Sequence, residues 1–535
     1  MNGAFRQSMT WLHTWSGIVV VWLLYFMFVT GTIGYFDDEV DRWMKPEQGP
    51  SAQMPIEAGL EAAQTRLEDI AAGADRWFIY PTIKRSNPHL STFWQMPTVE
   101  GEDVVRGDEE LDPTTAQPFT PAARDTGGGQ VLYRMHYLLH YLPGRSGYYI
   151  MAIVTMFMFV GLMTGVVAHK KIFKDFFTFR WARGQRSWLD LHNLASVATL
   201  PFQFMITYSG LLFTLALFWM PFVVLGGYGF DIKRISALAI EFQGQQAERS
   251  GDAVPLVRLA TLAQQIEADW GPNQIAFVRV EYPGDANARV TFQRETTGRT
   301  SAESVLFDGA SGERLTKPAG GLDFDANPAF GFAGVMFSLH EGQFADTVLR
   351  WVYFLSGLLG TIMIGTGAIY WVEKRRPRRA GDPTKWSFRA VERANVAVIA
   401  GLIGAVGVYL WANRLLPVGL AERADWEVHC MFLAWLAFFA HAALRRAPVA
   451  WIEQCTAVGL IFLAVPIVNG LTTSAHLGNS IAAGDWVLAG VDLTAIATGL
   501  IALGIAHAMR ARRSRLDAID VPALDGGDAQ PQLGG

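Results

Sequence analysis

The sequence predicts an α-helical polytopic membrane protein with about eight spans, whose first part uses a unit of span, α+β domain and span twice. Three observations lead to this fold class. Hydrophobic residues make up 51% of the 535 residues and charged residues only 17%, whereas about 25% are charged in soluble proteins. Uncharged runs near the roughly 20 residues that a helix needs to cross a bilayer recur along the chain. Two of these runs also align with each other without gaps.

The spans follow from the uncharged runs. The first four are predicted at residues 1–36, 147–170, 189–230 and 346–373, and the last four form a C-terminal module at 394–509. The first run lacks a small-residue cleavage site and is too long for a signal peptide, so we interpret it as a retained span. Cys430 and Cys455 fall inside predicted spans and form neither a disulfide framework nor an iron–sulfur spacing.

Basic residues predict the topology. They cluster in the loops 171–188 and 374–393 and follow the last span in the tail 510–535, whose end we expect to be disordered. By the positive-inside rule these segments face the cytoplasm. Both termini are then inside, and the long polar segments 37–146 and 231–345 lie on the outer side of the membrane. We interpret the basic loops as topology signals beside membrane lipid, and we expect no nucleic-acid partner.

Each polar segment predicts a small domain of one helix and an antiparallel sheet. A helical stretch, "IEAGLEAAQTRLEDI" in the first and "VPLVRLATLAQQIEADW" in the second, precedes strand-like runs such as "RWFIYPTI" and "QIAFVRVEY". The turn signals "ELDPTTAQ" and "LFDGASGE" follow these runs. The two segments therefore have the same predicted order of elements.

The spans repeat as well. "LHTWSGIVVVWLLYFMFVTG" aligns without gaps with "LHNLASVATLPFQFMITYSG", so His13 matches His192. The second and fourth spans match more loosely. Both units keep the same orientation, and such repeats are related by an axis along the membrane normal.

Six histidines fall at the ends of the predicted spans. Three form an inner layer and three an outer layer: His13, His169 and His192, then His136, His140 and His340. Two imidazoles from different helices that face each other across a bundle form a site for a b-type haem. The two layers therefore predict two haems b.

The pairing within each layer stays open at this point. In the inner layer the repeat makes His13 the mate of His192, and His169 is an alternative partner. In the outer layer His340 is the mate of His136 or His140. Because residues four apart are neighbours on a helix, one of these two is expected to bind and the other to support it.

Pairs of small residues accompany the histidines. They are Thr30–Gly31, Thr164–Gly165, Ser209–Gly210 and Thr366–Gly367. The first pair follows His13 at a distance of roughly 26 Å along a helix, which places it in the outer layer. The pairs predict either room for a flat macrocycle or close packing between helices, and the sequence does not separate the two.

The other histidines carry weaker signals. His89 lies in a strand-like region and is expected at the surface. Four more, His429, His441, His476 and His507, belong to the C-terminal module. Pairs can be drawn there too, but we expect two haems rather than three. Asp492 is an intramembrane carboxylate, for which a local hydrogen bond is the preferred interpretation.

These motifs, with "LDPTTAQ" and "HEGQFADTVLRWVYFLSGLL", resemble the PepSY-associated transmembrane family over about Met9 to Arg379. Within that family the chain resembles bacterial inner-membrane reductases that release iron from siderophores. The resemblance implies two periplasmic PepSY-like domains, two haems b, and reduction of a periplasmic ferric siderophore or other ferric chelate. The haem-iron ligands that it implies are His13, His192, His140 and His340, with His136 and His169 as contenders.

The expected activity is that of a haem-dependent ferric-chelate reductase, with no catalytic side chain beyond those that bind the cofactor. The sequence has no GxGxxG after a strand and no P-loop. We therefore expect the electron donor to be membrane quinol or a separate reductase. Two other functions stay open: a non-redox PepSY membrane protein that binds or regulates peptidases, and a metal or siderophore transporter.

Overall fold

The computed structural model describes residues 3–49, 54–81, 89–97, 105–112, 114–118, 123–169, 176, 180, 184–214, 248–296, 303–315, 328–379 and 386–519. The chain divides into two compact units. The first unit consists of Met1–Gly381 and Pro417–Asp425, and the second of Asp382–Leu416 and Trp426–Gly535. Several predicted features lie outside the described residues: most of the loop 171–188, the third span beyond residue 214, the second polar segment up to residue 247, and the tail from residue 520.

Helices account for most of the described residues. They are α1 (Gly3–Ile33), α2 (Asp37–Met44), α3 (Ile56–Ile70), α4 (Gly128–Met135), α5 (Ser146–Ala168), α6 (Gln185–Ala198), α7 (Leu200–Phe213), α8 (Leu259–Trp270), α9 (Pro328–Glu341), α10 (Thr347–Arg379), α11 (Trp386–Leu415), α12 (Arg423–Leu444), α13 (Ala447–Thr472), α14 (Leu477–Ala482) and α15 (Trp486–Ile519). In this described part, seven helices are long and apolar enough to cross a membrane, and the bent pair α6–α7 brings the number to eight if it counts as one span. The prediction of a polytopic membrane protein is confirmed.

The first unit contains a helix bundle. α1 packs against α5 and α10, α10 packs against α6, and α5 packs against α7. Three buried side chains of α1, Val20, Leu24 and Met27, follow one another at intervals of four and three residues. That spacing places them on one face of the helix, which is the face that the neighbouring helices cover.

The third span is bent rather than continuous. α6 and α7 meet at an angle of 69° around Thr199, and Pro201 lies in the first turn of α7. Proline has no N–H to bond to the preceding turn, and its ring clashes with that turn. One helix therefore ends and another begins here, where the sequence had predicted a single span over residues 189–230.

The first unit also contains one antiparallel sheet. Its described strands are β1 (Arg76–Tyr80), β2 (Leu90–Gln95), β3 (Arg106–Asp112), β4 (Gln117–Pro118), β5 (Ile275–Glu281), β6 (Arg289–Arg294), β7 (Ser304–Asp308) and β8 (Arg314–Leu315), in the spatial order β4-β3-β2-β1-β5-β6-β7-β8. β1 pairs with β5, so that Trp77 lies opposite Val280 and Ile79 opposite Val278. The sequence predicted a sheet in each polar segment; this pairing joins the strands of both into one sheet.

Both polar segments contribute to one hydrophobic core beside the sheet. Ile79 of β1 and Val278 of β5 are fully buried in it, as alternation along a half-buried strand requires. The helices α3 and α8 pack against each other, and buried Gln64 of α3 accepts a hydrogen bond of 2.9 Å from the Leu259 N–H at the start of α8. This bond satisfies one of the amides that a helix N-terminus leaves unpaired.

Buried polar side chains connect the helices of the second unit. In it, α13 packs against α11 and α15. Asn469 accepts a hydrogen bond of 2.8 Å from Arg414 and donates one of 3.0 Å to Asp492, while Asn413 donates one of 2.8 Å to Glu427. All five side chains are at most 5% exposed. Charged groups inside a membrane require such partners, and Asp492 makes the local hydrogen bond that we expected.

Candidate functional site

Four of the six candidate histidines face each other in two pairs. The rings of His13 in α1 and His192 in α6 have centroids 6.2 Å apart and an interplanar angle of 64°. The rings of His136, directly after α4, and His340 in α9 have centroids 6.0 Å apart and an interplanar angle of 47°. His136 contacts the carbonyl of Met27 in α1. Because α1 is continuous between His13 and Met27, the two pairs are about 20 Å apart along its axis.

Three of the four imidazoles are held by a backbone carbonyl. The Nδ1 atoms lie 2.8 Å from the carbonyl oxygens in the pairs His13–Gly161, His192–Met363 and His136–Met27. A carbonyl only accepts hydrogen bonds, so Nδ1 carries the proton and Nε2 keeps its lone pair. Such a bond fixes the tautomer and direction of a metal-binding imidazole.

The fourth imidazole is held by a hydroxyl group. His340 Nδ1 lies 2.9 Å from Ser209 Oγ, and the hydroxyl donates its own proton to the Met205 carbonyl at 2.6 Å. The hydroxyl oxygen is then the acceptor of the Nδ1 proton. His340 therefore also keeps its lone pair on Nε2.

A glycine lies behind each of the four imidazoles. A Cβ atom added to it would lie 2.4 Å from His136 Nδ1 at Gly31, 3.1 Å from His340 Cε1 at Gly210, 3.1 Å from His13 Cε1 at Gly165 and 3.1 Å from His192 Nδ1 at Gly367. These are the glycines of the four small-residue pairs. The space that these glycines leave holds an imidazole ring. The sequence had suggested two other roles for the small pairs, room for a macrocycle and close packing between helices.

The hydroxyl residue of each small pair belongs to the same arrangement. In three pairs it lies within 3.2 Å of the carbonyl that holds the histidine: Thr30 with Met27, Thr164 with Gly161 and Thr366 with Met363. The acceptor thus precedes the hydroxyl residue by three positions and the glycine by four, one helical turn. The small pairs were recognised in the sequence, but the carbonyls that hold the histidines were not. A Thr–Gly pair one helical turn after the carbonyl residue is the signal that marks such a carbonyl.

The spacing of the rings fits one metal ion between the members of each pair. With a metal–nitrogen bond of about 2 Å on either side and about 1.1 Å from each nitrogen to its ring centre, two imidazoles on one ion have centroids about 6 Å apart. The observed separations are 6.2 and 6.0 Å. Among the described residues, no group of three or more His, Cys, Asp or Glu is placed to hold a metal. A pair of this kind suits a metal whose other ligands come from a macrocycle.

A cavity of about 390 Å³ adjoins the pair His136–His340. Its wall is largely apolar and aromatic and includes Phe28, Tyr133, Tyr137, Met151, Phe202 and Phe213. Gly31 and Gly210 also line it, next to the histidines that they back. Pockets for small molecules and cofactors have volumes of about 300–1,000 Å³ and mostly apolar walls, so the cavity suits part of a flat hydrophobic ligand.

Burial shifts the pKa of two ionisable groups of the cavity wall. Burial raises the pKa of the Glu341 carboxyl. Burial, and after it the nearby Glu341 carboxylate, raises the pKa of the Tyr133 phenol. Burial thus acts against the charged form of both groups.

His136, rather than His140, faces His340. The resemblance implied His140 as the ligand, and the spacing of four residues predicted that His136 and His140 share one face of a helix. α4 ends at Met135, and the chain then turns, so residues four apart no longer share a face. The ring of His140 lies instead against Tyr141, with centroids 4.7 Å apart.

His169 does not take the place of His13 opposite His192. It is the C-cap residue of α5, and its Nε2 atom lies 3.2 Å from the Asn193 side-chain nitrogen. Asn193 directly follows His192 in α6, so His169 contacts the residue beside the pair. Its position is that of a neighbour rather than a member of the pair.

The remaining histidines have other surroundings. His89 is only 2% exposed, so the prediction of a surface residue is wrong; it directly precedes β2, whose first residue Leu90 is in the core. Burial is also the main reason why the pKa of His89 is lowered. In the second unit, His476 accepts a hydrogen bond from the Asn479 N–H at the start of α14.

A known family covers the part of the chain that carries both histidine pairs. The model of the PepSY-associated TM region matches residues 10–374, which is more than half of the chain. None of the curated proteins compared with the chain matches it. The protein therefore belongs to the PepSY-associated transmembrane family.

Proposed function

We propose that the protein is a di-haem electron-transfer protein of the bacterial inner membrane that reduces a ferric siderophore or another ferric chelate in the periplasm. The observation that carries the proposal is the geometry of the pairs His13–His192 and His136–His340. In each pair both rings are fixed through Nδ1, and their spacing suits an iron between two Nε2 atoms. Two such pairs at two depths of one bundle suit the transfer of electrons across a membrane.

The protein's own part in this function is to hold and isolate the two sites. Haem b bound at each pair would supply a one-electron couple. The carbonyls of Met27, Gly161 and Met363 keep the protons on Nδ1, which makes Nε2 the better electron-pair donor. The glycines allow the rings to lie close to the helices, and the apolar cavity wall excludes water.

The order of elements supports the proposed direction of transfer. α4 follows β4 and α9 follows β8, so the pair His136–His340 lies on the side of the bundle to which the sheet is connected. The pair His13–His192 lies toward the N-terminal end of α1 and the start of α6. With the basic loops in the cytoplasm, the sheet and His136–His340 are on the periplasmic side, where ferric chelates arrive.

The proposed substrate follows from the chemistry of iron. Siderophores hold Fe(III) through hard oxygen ligands, and the softer Fe(II) binds such ligands less strongly. Addition of one electron therefore loosens the chelate and releases iron. A carrier that ends beside the periplasm needs no further catalytic side chain for this step.

Proteoliposomes test the function. With a reductant enclosed in the vesicles and a ferric hydroxamate chelate outside, we expect Fe(II), trapped by a coloured chelator, to appear only when the protein is present. His340→Leu is expected to lower this rate to that of empty vesicles, because it removes one of the two imidazoles of a site. His507→Leu, at an exposed position of α15, is the matched control and should leave the rate unchanged.

Equal rates with and without the protein would contradict the proposal. A colourless preparation would favour one of the two other functions, regulation of peptidases or transport, since neither requires a haem. Uptake of the intact chelate into the vesicles, without Fe(II), would favour transport.

A further inference from the structure

The four small-residue pairs share one hydrogen-bonding pattern. In each pair the hydroxyl donates to the carbonyl four residues before it, at 2.6 to 2.8 Å, and lies 3.1 to 3.2 Å from the carbonyl three residues before it. Three of the imidazoles are held by the second of these carbonyls, and their Nδ1 atoms lie 2.8 Å from it. In these three cases the imidazole proton therefore meets a backbone carbonyl.

The pair Ser209–Gly210 departs from this pattern at its histidine. The counterpart of the three carbonyls is that of Ile206, four residues before Gly210. His340 Nδ1 nevertheless lies 2.9 Å from Ser209 Oγ. The Ile206 carbonyl also faces the ring, since a hydrogen bond to it opposes the lowering of the His340 pKa by burial and by His136. His340 is thus the one imidazole of the four whose proton meets a hydroxyl group.

The kind of acceptor changes the strength of an imidazole as an electron-pair donor. When an acceptor draws the proton on Nδ1 toward itself, more electron density is left on Nε2, and an amide carbonyl is a stronger acceptor than a hydroxyl group. An imidazole held by a carbonyl is therefore the better donor to a metal, and a better donor favours ferric over ferrous iron. Hydrogen bonding of this kind is one of the means by which a protein sets the reduction potential of a haem.

The two histidine pairs differ in this respect. In the inner pair, His13–His192, both protons meet carbonyls. In the outer pair, His136–His340, one proton meets a carbonyl and the other meets the Ser209 hydroxyl. The outer pair is therefore the weaker set of donors and disfavours ferrous iron less.

We propose that Ser209 is a positioning residue that acts through His340 and raises the reduction potential of the haem at the outer pair. This inference rests on the proposed function, because both require an iron between the facing rings. A higher potential at the outer pair favours transfer of an electron from the inner pair toward the periplasm. In that transfer the iron at the inner pair goes from ferrous to ferric, the iron at the outer pair goes from ferric to ferrous, and the Nδ1 protons stay in place.

An anaerobic redox titration of the purified full-length protein, followed in the optical spectrum of the haems, tests the role of Ser209. The single potential of His136→Leu, which keeps only the inner pair, identifies the inner haem. Ser209→Ala removes the hydroxyl and leaves the Ile206 carbonyl to accept the His340 proton. We expect the potential of the outer haem to fall and that of the inner haem to stay. The equilibrium of an electron between the two haems should move about fivefold toward the inner pair, the effect of one hydrogen bond.

Two further variants separate the acceptor from the structure around it. Ser209→Cys fills the same place with a weak acceptor, so it should keep the potential of the outer haem at or above the wild-type value. Thr361→Val is the matched control, because the Thr361 hydroxyl is also buried and donates to a carbonyl of its own helix, that of Gly357. Both potentials should be unchanged in this variant.

An unchanged or raised potential of the outer haem in Ser209→Ala, a lowered one in Ser209→Cys, or equal shifts of both haems overturns the inference. Failure of the proposed function has a different signature. If the potentials respond as expected but proteoliposomes reduce no ferric chelate, the role of Ser209 stands and the proposed function fails. If ferric chelate is reduced but Ser209→Ala has the wild-type potentials, only the role of Ser209 is wrong.

Discussion

Replacement of His136 by leucine is expected to remove one of two haem equivalents from the purified protein. His136 faces His340 with ring centroids 6.0 Å apart, and its Nδ1 atom is held by the Met27 carbonyl. A leucine in its place leaves a single imidazole at this site. Haem content per chain, measured as the pyridine haemochromogen, should therefore fall from about two to about one.

His140→Leu is the matched control. His140 is four residues away in the same connection, and its ring lies against Tyr141 instead of His340. We expect this variant to keep both haems. The opposite result would be loss of one haem from His140→Leu and retention of both haems in His136→Leu. It would show that His140, as the resemblance implies, is the partner of His340 and that His136 is not.

Replacement of Gly31 by alanine is expected to disturb the same site without removing a ligand. The added Cβ atom would lie 2.4 Å from His136 Nδ1, whereas Cβ atoms in proteins essentially never lie within 3.0 Å of a non-bonded heavy atom. The imidazole ring must therefore move away from the Met27 carbonyl that holds it. The expected result is loss of most of the haem at this site and a haem content of about one per chain. Gly367→Ala places its Cβ atom 3.1 Å from His192 and should have a smaller effect.

Gly17→Ala controls for the change of residue type in the same helix. A Cβ atom there meets nothing within 4 Å, and alanine favours the helix. Full haem content is expected, measured by the same assay. If Gly31→Ala retained both haems as Gly17→Ala does, the role of Gly31 in making room for the imidazole would have to be given up.

The repeat in the sequence carried most of the information about the candidate site. An ungapped alignment of two apolar runs made His13 and His192 counterparts, and the structure brings these two rings together. The four Thr/Ser–Gly pairs were also visible, and two of them, Thr30–Gly31 and Ser209–Gly210, occupy matching positions at the ends of the aligned runs. Their contact with the imidazoles was not visible, since it joins residues that lie far apart in the sequence.

Local chain geometry explains where the sequence misled. The choice between His136 and His140 depended on where α4 ends, and helix ends are poorly marked when no strong cap residue is present. Pro201 is a local signal for a break, but the prediction of the third span rested on the uninterrupted apolar run. The pairing of β1 with β5 left no local signal, because each strand has the same alternation whether or not it has a partner at its edge.

The optical spectrum and haem content of the purified wild-type protein test the central claim most directly. Two imidazoles on each iron predict about two haems b per chain and a six-coordinate, low-spin spectrum whose Soret band shifts when dithionite is added. A colourless protein would contradict the account. So would a single haem per chain or a five-coordinate spectrum, because either result would mean that the facing rings do not hold iron between them.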